Sequence, residues 1–519
     1  MPFRKLANLF TIISAVSASL VVHESHRAAP PGFFSKASNS FAAANGLKPT
    51  VVSLNGDWLS LVLMVSQANH LFGTQFEKFS HASLPEPITR TLKIPLPSEL
   101  IGHINVVHPS TSFAGHGAGF AQLPFLAHSS EKRTEPVAAC NSSRPDDTAT
   151  PTCLQKIHGI PSTPATQKNN KILVTGYLGT SPNRMVLSVY FSGLMEIPAV
   201  LLEADLDIKY TVGTFSKSSA VSQQGCLLSS SLLSDSRILR QPFLDTNTFL
   251  DGIDNPPSVV TTSVRLMENQ FESSVSKKIC DSYMALGAWG ISVLFGSGDG
   301  GVHGGHDNSS IPGFVRATFS SPSSLRPVPT LPLPEVAINL TGGGFSDLFP
   351  RPWYQTQAVD SFLKTITPDF AGTFNKSGCG YPDIAVQGWG LDLVFNGTTF
   401  TDGGTSFSSP IFASMIALVN DWLVAADNLF WASQSQSCDL QTRVSEGPTW
   451  ETGREYFRAR GRIKLTTTTR GWHFIYQGHN SGFECPTSSV AFDATKGWDA
   501  LTGVGSPIFD KLLAAAFKY

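Results

Sequence analysis

The sequence predicts an α/β protein, a parallel sheet flanked by helices behind a smaller α+β unit, and three observations carry that prediction. Lys171–Gly176 (KILVTG), Ser258–Ser263 (SVVTTS) and Ile291–Gly296 (ISVLFG) are short apolar runs rich in β-branched residues, as buried strands are. Between the last two, Val275, Ile279, Tyr283 and Leu286 recur on one helical face, so strand, helix and strand make a βαβ unit with the usual right-handed crossover. Ser130–Pro151 (SEKRTEPVAACNSSRPDDTATP) is polar, contains proline and has few large apolar side chains, which marks a linker dividing the chain.

From the amino end, Arg4 and Lys5 precede an apolar stretch, Leu6–Val22, with small residues at Ala15, Ser17 and Ala18. This pattern predicts a secretory signal over 1–18, cut near Ala18. A membrane anchor is the alternative, but Asn8, Thr11, Ser14, Ser17 and Ser19 leave the apolar core short for a span. Residues 19–150 follow as an α+β unit plus the linker, with an alternating piece at Thr89–Ile94 and a helix-like piece at Leu61–Phe72. Residues 151–519 form the larger domain.

Composition narrows the partners. A chain of 519 residues suits two or three folding units, and its net charge of −2, with no long run of one sign, disfavours nucleic acid and anionic membranes. Seven cysteines in a secreted chain would form disulfides and leave at least one unpaired; none has CxxC spacing, which disfavours zinc. Sequons at Asn141, Asn308, Asn339, Asn375 and Asn396 suit a secreted glycoprotein, although such triplets also arise by chance.

Three motifs carry chemistry. The run Gly403–Val419 (GGTSFSSPIFASMIALV) predicts a glycine turn, then a mostly buried helix with Pro410 in its first turn. Ser406 then stands near a helix N-terminus whose free N–H groups favour an oxyanion, or else serves as the N-cap of that helix. After the Ile291–Gly296 strand comes SGDGG, placing Asp299 beyond the carboxyl end of a parallel strand, where polar groups gather in such sheets. A turn aspartate is the alternative. In LLEADLD, Glu203 and Asp207 share a helix face with Cβ atoms about 5–6 Å apart, so the pair can share one proton and act as a base in acid. A solvated helix face is the plainer reading.

Taken together, EADLD, SGDGG and GGTSFSSP, in this order and with large separations, resemble the sedolisin family of serine-carboxyl peptidases. NPPSVVTTS, GGGFSDLFPRPWYQ, YPDIAVQG and GWDALTGVGSPIF are similar to the family too, and CLQKIHGIPSTPATQ looks like the start of the mature enzyme in secreted fungal tripeptidyl peptidases. The resemblance implies a subtilisin-like α/β catalytic domain behind an α+β prodomain. It implies a zymogen, secreted or sent to an acidic vacuole, that acts on polypeptides at acid pH and releases N-terminal tripeptides; an endopeptidase is the close variant. It assigns Ser406 as nucleophile, Glu203 as general base, Asp207 as the acid that orients it, and Asp299 as a protonated oxyanion donor. A subtilisin-like protease would need a histidine base; most candidates precede the linker, and His303 and His306 lie in a glycine-rich loop.

The resemblance also implies one Ca2+ in a C-terminal loop, held by the Asp499 carboxylate and the main-chain carbonyls of Ile475, Thr495 and Gly497. Phe474 stands where relatives carry an acidic ligand, and Asp493 is the nearest substitute. The pattern also breaks at 184–202, at 315–329, where prolines replace a core strand, and at 429–474; the prodomain looks abbreviated at Ser35–Pro49. Abrupt loss and return of resemblance is what a retained intron or wrong splice junction leaves, and a catalytically silent glycoprotein is the reading that would follow.

Overall fold

The computed structural model describes residues 4–5, 17–24, 36–51, 58–80, 87–111, 149–175, 211, 226–228, 242–263, 268, 273–303, 323–327, 335–428, 430, 472–473 and 491–517, apart from a few single or paired positions inside these spans. They fall into two compact units: Met1–His116 with Asp235–Pro256 and Glu272–Ser282, and Gly117–Ser234 with Pro257–Phe271 and Tyr283–Tyr519.

The first unit contains β1 (Arg4–Lys5), β2 (Ser17–Glu24), α1 (Lys36–Ala44), β3 (Thr50–Val51), β4 (Trp58–Met64), α2 (Val65–Phe72), β5 (Glu77–Ser80), β6 (Ile88–Arg90) and β7 (Ile104–His108). Its main sheet is antiparallel, in the order β3-β4-β2-β7, and a smaller one runs β1-β5-β6. This is the α+β unit expected from the sequence, with one correction. Leu61–Met64, expected as the start of a helix, is strand: Leu61 and Leu63 face the core while Val62 is 71% exposed, a period of two. The helix begins only at Val65, where the Met64 amide donates to Gln67 Oε1 at 2.9 Å, and stops at Gly73 in the left-handed region. Ala18 lies inside β2, paired with Leu63.

Along the rest of the chain come α3 (Pro151–His158), β8 (Ile172–Thr175), β9 (Cys226–Leu228), α4 (Pro242–Asp251), β10 (Val259–Thr262), α5 (Ser273–Ala288), β11 (Ser292–Phe295), β12 (Ser323–Pro327) and β13 (Glu335–Ala337). They continue with β14 (Gly344–Pro350), α6 (Thr356–Leu363), β15 (Gly378–Tyr381), β16 (Ala385–Gln387), β17 (Leu391–Phe395), β18 (Thr398–Asp402), α7 (Thr405–Ala425), β19 (Trp472–His473), β20 (Ser506–Pro507) and α8 (Phe509–Ala516).

The central sheet of the second unit runs β11-β10-β8-β9, every pairing parallel, so all its strands deliver their carboxyl ends to one edge. Every residue of β8, β10 and β11 is buried, as a sheet covered on both faces requires, and the three strands lie where their apolar runs predicted them. Helix α7 is apolar all round and long enough to cross a membrane, yet Phe407, Ile411, Met415, Ile416 and Val419 are sealed in the main core. That makes it the core helix of the domain. Beside it, Phe345, Phe362, Phe374, Phe492 and Trp498 pack ring against ring with centroids 4.6 to 6.5 Å apart.

A second correction concerns 315–329. Within that stretch Ser323–Pro327 is a strand, and the middle one of its sheet: antiparallel to β13 and parallel to β16. Its prolines do not prevent this because none lies inside it; Pro327 ends the strand and Pro322 precedes it. Of the other divergent segments, 184–202 lies outside the described residues, as do all of 429–474 except Phe430 and β19. Cys153 and Cys379 are disulfide-bonded, while Cys280 is a buried thiol.

Candidate active site

β11 runs directly into the loop that carries Asp299, which is buried. The Thr405 amide donates to Asp299 Oδ1 at 2.7 Å and the Thr405 hydroxyl donates to the same oxygen at 2.8 Å, while that hydroxyl accepts from the Gly298 amide at 2.9 Å. A continuous donor chain therefore ties the Asp299 loop to the first residue of α7. Ser406 is the second residue of that helix, and Gly404 occupies the N-cap. This decides against the N-cap reading of Ser406: its hydroxyl belongs to the first turn, beside the free N–H groups of the helix end. The turn before it is tight, since the Gly404 amide donates to the Gly388 carbonyl at 2.8 Å and a Cβ on Gly403 would come within 2.2 Å of the Trp389 ring.

Pro410 is the sixth residue of α7 and lies beyond the first turn where it was expected. In an α-helix the amide of residue 410 would serve the Ser406 carbonyl, and proline has none. The Ser263 hydroxyl, just past β10, donates to that carbonyl at 3.1 Å. On the same face of the strand, Thr261 and Ser409 share a hydroxyl hydrogen bond of 2.8 Å.

Behind Asp299 the backbone is braced on both sides. The Gly342 amide donates to the Gly298 carbonyl at 2.6 Å, and the Gly301 amide to the Leu340 carbonyl at 2.8 Å. A Cβ on Gly342 would lie 2.2 Å from the Ser297 carbonyl oxygen, which is backbone and has no rotamer to escape into. Gly342→Ala should therefore cost about 1–3 kcal/mol of stability and displace the Asp299 loop. Chemical denaturation paired with kcat measurement checks this, and a variant matching the parent in both would show that the contact yields freely.

Asp299 and Ser406, assigned from sequence, are thus brought together through Thr405. Glu203 and Asp207 lie outside the described residues. The nearest described position is Thr211, whose carbonyl accepts from the Ser414 hydroxyl at 3.1 Å, anchoring the chain four residues past Asp207 on the helix that carries Ser406. His303 ends a short helical turn after Asp299, His306 lies outside the described residues, and among the described residues no three His, Cys, Asp or Glu side chains cluster as metal ligands would.

Sequence reading missed Thr405, Ser263 and Glu268. Glu268 is a buried carboxyl that accepts from the Ser346 hydroxyl at 2.5 Å and from the amides of Asp347 and Leu348 at 3.0 and 3.3 Å, and burial raises its pKa. A threonine beside a candidate nucleophile, or a lone glutamate after a strand, has no pattern that separates it from a surface residue.

The described residues of the expected calcium loop are Thr495, Gly497 and Asp499; Phe474 and Ile475 fall outside. Asp499 is fully buried and its carboxylate is already filled. Oδ1 accepts from the Leu501 and Thr502 amides, Oδ2 accepts from the Thr495 amide, and the Thr502 hydroxyl reaches both. Thr495 turns its N–H to Asp499, and among the described residues no second carboxylate joins it. Among the described residues this loop is closed by its own donors, and the expected ligand Ile475 lies outside them.

Burial is the largest influence on Asp499 and raises its pKa to about 7, outweighing the hydrogen bonds that lower it. A carboxyl that holds its proton longer folded than unfolded favours folding in acid; that stabilisation fades as pH rises from about 4 through about 7. Glu268 acts in the same direction. Tm should therefore be highest in acid and decline toward neutrality. A Tm flat from about pH 4 to about pH 7 would overturn this, and a Tm that climbs steeply when calcium is added at neutral pH would show that the loop takes the ion.

Residues 30–113 match the model of the pro-kumamolisin activation domain. Over 92% of this chain and 82% of the relative, the sequence is 29% identical to Probable tripeptidyl-peptidase SED3 of Trichophyton verrucosum. It is 27% identical, over 91% and 82%, to Tripeptidyl-peptidase SED2 of Arthroderma otae. The activation-domain match and these relatives support the sedolisin resemblance carried by the motifs. The activation-domain match falls within the first compact unit, and Ser406 and Asp299, the residues expected as nucleophile and oxyanion donor, lie in the second. Among solved structures, a Pseudomonas sedolisin bound to pseudo-iodotyrostatin is similar over 70% of this chain and 96% of its own, with 19% identity and a TM-score of 0.46.

Proposed function

We propose that this chain is a secreted, acid-active serine-carboxyl peptidase, made as a self-processing zymogen, that releases tripeptides from the free amino ends of polypeptides. The observation that carries the reading is the bonding of Asp299 to the residue before Ser406 at the mouth of α7. Ser406 Oγ attacks the scissile carbonyl, and Glu203 accepts its proton and later returns it to the leaving amine. Asp207 keeps Glu203 oriented and shares its proton. Protonated Asp299, with the Ser406 amide, donates to the tetrahedral oxyanion. Holding Oδ1 with two Thr405 donors fixes the plane of that carboxyl before substrate arrives.

The activation-domain match supports the zymogen, and the boundary expected near Thr150–Cys153 coincides with the first turn of α3. Just before it, the buried Ala149 donates its amide to the Gly390 carbonyl at 2.7 Å. The disulfide-bonded state of Cys153 and Cys379 and the basic, apolar amino end support secretion. Tripeptide release is drawn from the names of the fungal relatives.

The test is to acidify the purified zymogen, sequence the new amino terminus and assay amino-free against amino-blocked chromogenic tripeptides across acid and neutral pH. Processing near Thr150, with hydrolysis confined to acid and to the amino-free substrate, is expected. Equal cleavage of both substrates would make it an endopeptidase, and activity confined to neutral pH would remove the protonated oxyanion donor.

A further inference from the structure

We propose that Ser263 is a positioning residue for the nucleophile, fixing Ser406 through its carbonyl at the place where Pro410 withholds the normal helical donor. The inference rests on the reading of Ser406 as nucleophile given above.

Ser406 attaches to the backbone through two peptide planes, and the direction of its hydroxyl follows from how both are held. On the amino side, Thr405 is tied to the Asp299 loop by its amide and hydroxyl, and its carbonyl lies so close to Gly296 that a Cβ there would come within 2.9 Å of the oxygen. On the carboxyl side, the plane shared by Ser406 and Phe407 is held at one end by the Phe407 amide, which donates to the Gly404 carbonyl at 3.2 Å. Its other end is the Ser406 carbonyl. An uninterrupted helix would secure that oxygen with the amide of residue 410, but proline there supplies no hydrogen and its ring crowds the carbonyl four residues back. The Ser263 hydroxyl takes over at 3.1 Å. Both Ser263 and the Ser406 region are buried, so water does not readily replace this donor.

The donor has a rigid base. Ser263 follows directly on β10, the strand between β8 and β11, whose Thr261 is joined to Ser409 one helical turn beyond Ser406. Two residues of one strand face thus meet two residues of one helix face, and the nucleophile's register against the sheet is set by hydroxyl groups. Ser263 bonds the Ser406 carbonyl, so its effect reaches the chemistry through the orientation of Ser406.

The experiment compares Ser263→Thr, which keeps the hydroxyl, with Ser263→Val, which has the same shape without it, each alone and combined with Pro410→Ala. Ser263→Val should lower kcat about tenfold, the worth of one buried hydrogen bond, with KM changed less than about twofold, while Ser263→Thr keeps most of the activity. With Pro410→Ala, the new amide at 410 reaches the Ser406 carbonyl, so the Ser263→Val penalty should shrink to about twofold. If Ser263→Val does not fold, Ser263→Ala takes its place in the cycle. An active parent with an unchanged kcat in Ser263→Val, or a penalty equally large with Pro410→Ala, overturns the positioning role alone. A parent that hydrolyses no peptide removes the peptidase reading, and this proposal with it.

Discussion

Replacing Ser406 by alanine should lower peptide hydrolysis by on the order of a millionfold and leave the fold in place. The turn around it is built from the Thr405 amide and hydroxyl, the Gly404 amide and the Ser406 carbonyl, all of which an alanine preserves. Only the attacking oxygen is lost. The zymogen carrying the substitution should also fail to release its amino-terminal segment in acid, because the same oxygen would cut that bond. Assaying the parent and variant side by side, with Tm as a control for folding, separates loss of chemistry from loss of structure. Residual activity within tenfold of the parent would mean that another group attacks.

Asp299→Ala should have the next largest effect, lowering kcat by about a hundred- to a thousandfold through loss of an oxyanion donor. Stability should suffer as well. The Thr405 amide and hydroxyl both end on Asp299 Oδ1, so alanine leaves two buried donors facing no acceptor, at about 1–3 kcal/mol for each group left unsatisfied. Asp299→Asn separates the two effects: its carbonyl can still accept from Thr405, and its amide hydrogens can donate to the oxyanion at any pH. The asparagine variant should be nearly as stable as the parent and lose less activity as pH rises. If alanine and asparagine were equally damaging at every pH, Asp299 would be acting by its charge, and donation to an oxyanion would have to be abandoned.

These expectations also show how far the sequence could be read. The three strands and the helix between them were legible because each is a local pattern: a run of β-branched residues, or apolar positions spaced by a helical turn. Ser406 was legible as a residue opening a helix because Gly403 and Gly404 precede it and a continuous apolar run follows. Leu61–Met64 was misread because four residues fit both a helix and a strand, and only the partner strand β2 makes the alternation count. The prolines at 322 and 327 misled for the opposite reason: their chemistry is incompatible with the interior of a strand, but the strand starts after Pro322 and takes Pro327 only as its last residue. The Asp499 loop was legible from its residue types, but the amides that fill its carboxylate were not, because every residue of a loop possesses one.

By itself, then, the sequence determined the three parallel strands and the helix between them, which serine opens the core helix, and which aspartate follows the neighbouring strand. The tertiary structure alone decided that these meet. Thr405 and Asp299 bond across 106 residues of chain, and Ser263 reaches Ser406 across 143. A hydrogen bond between groups so distant leaves no periodicity to detect, because it depends on the order of strands in the sheet and the closeness that glycines such as Gly342 permit. Apolar spacing records which face of an element is buried; it carries no record of which polar group the fold will set opposite it.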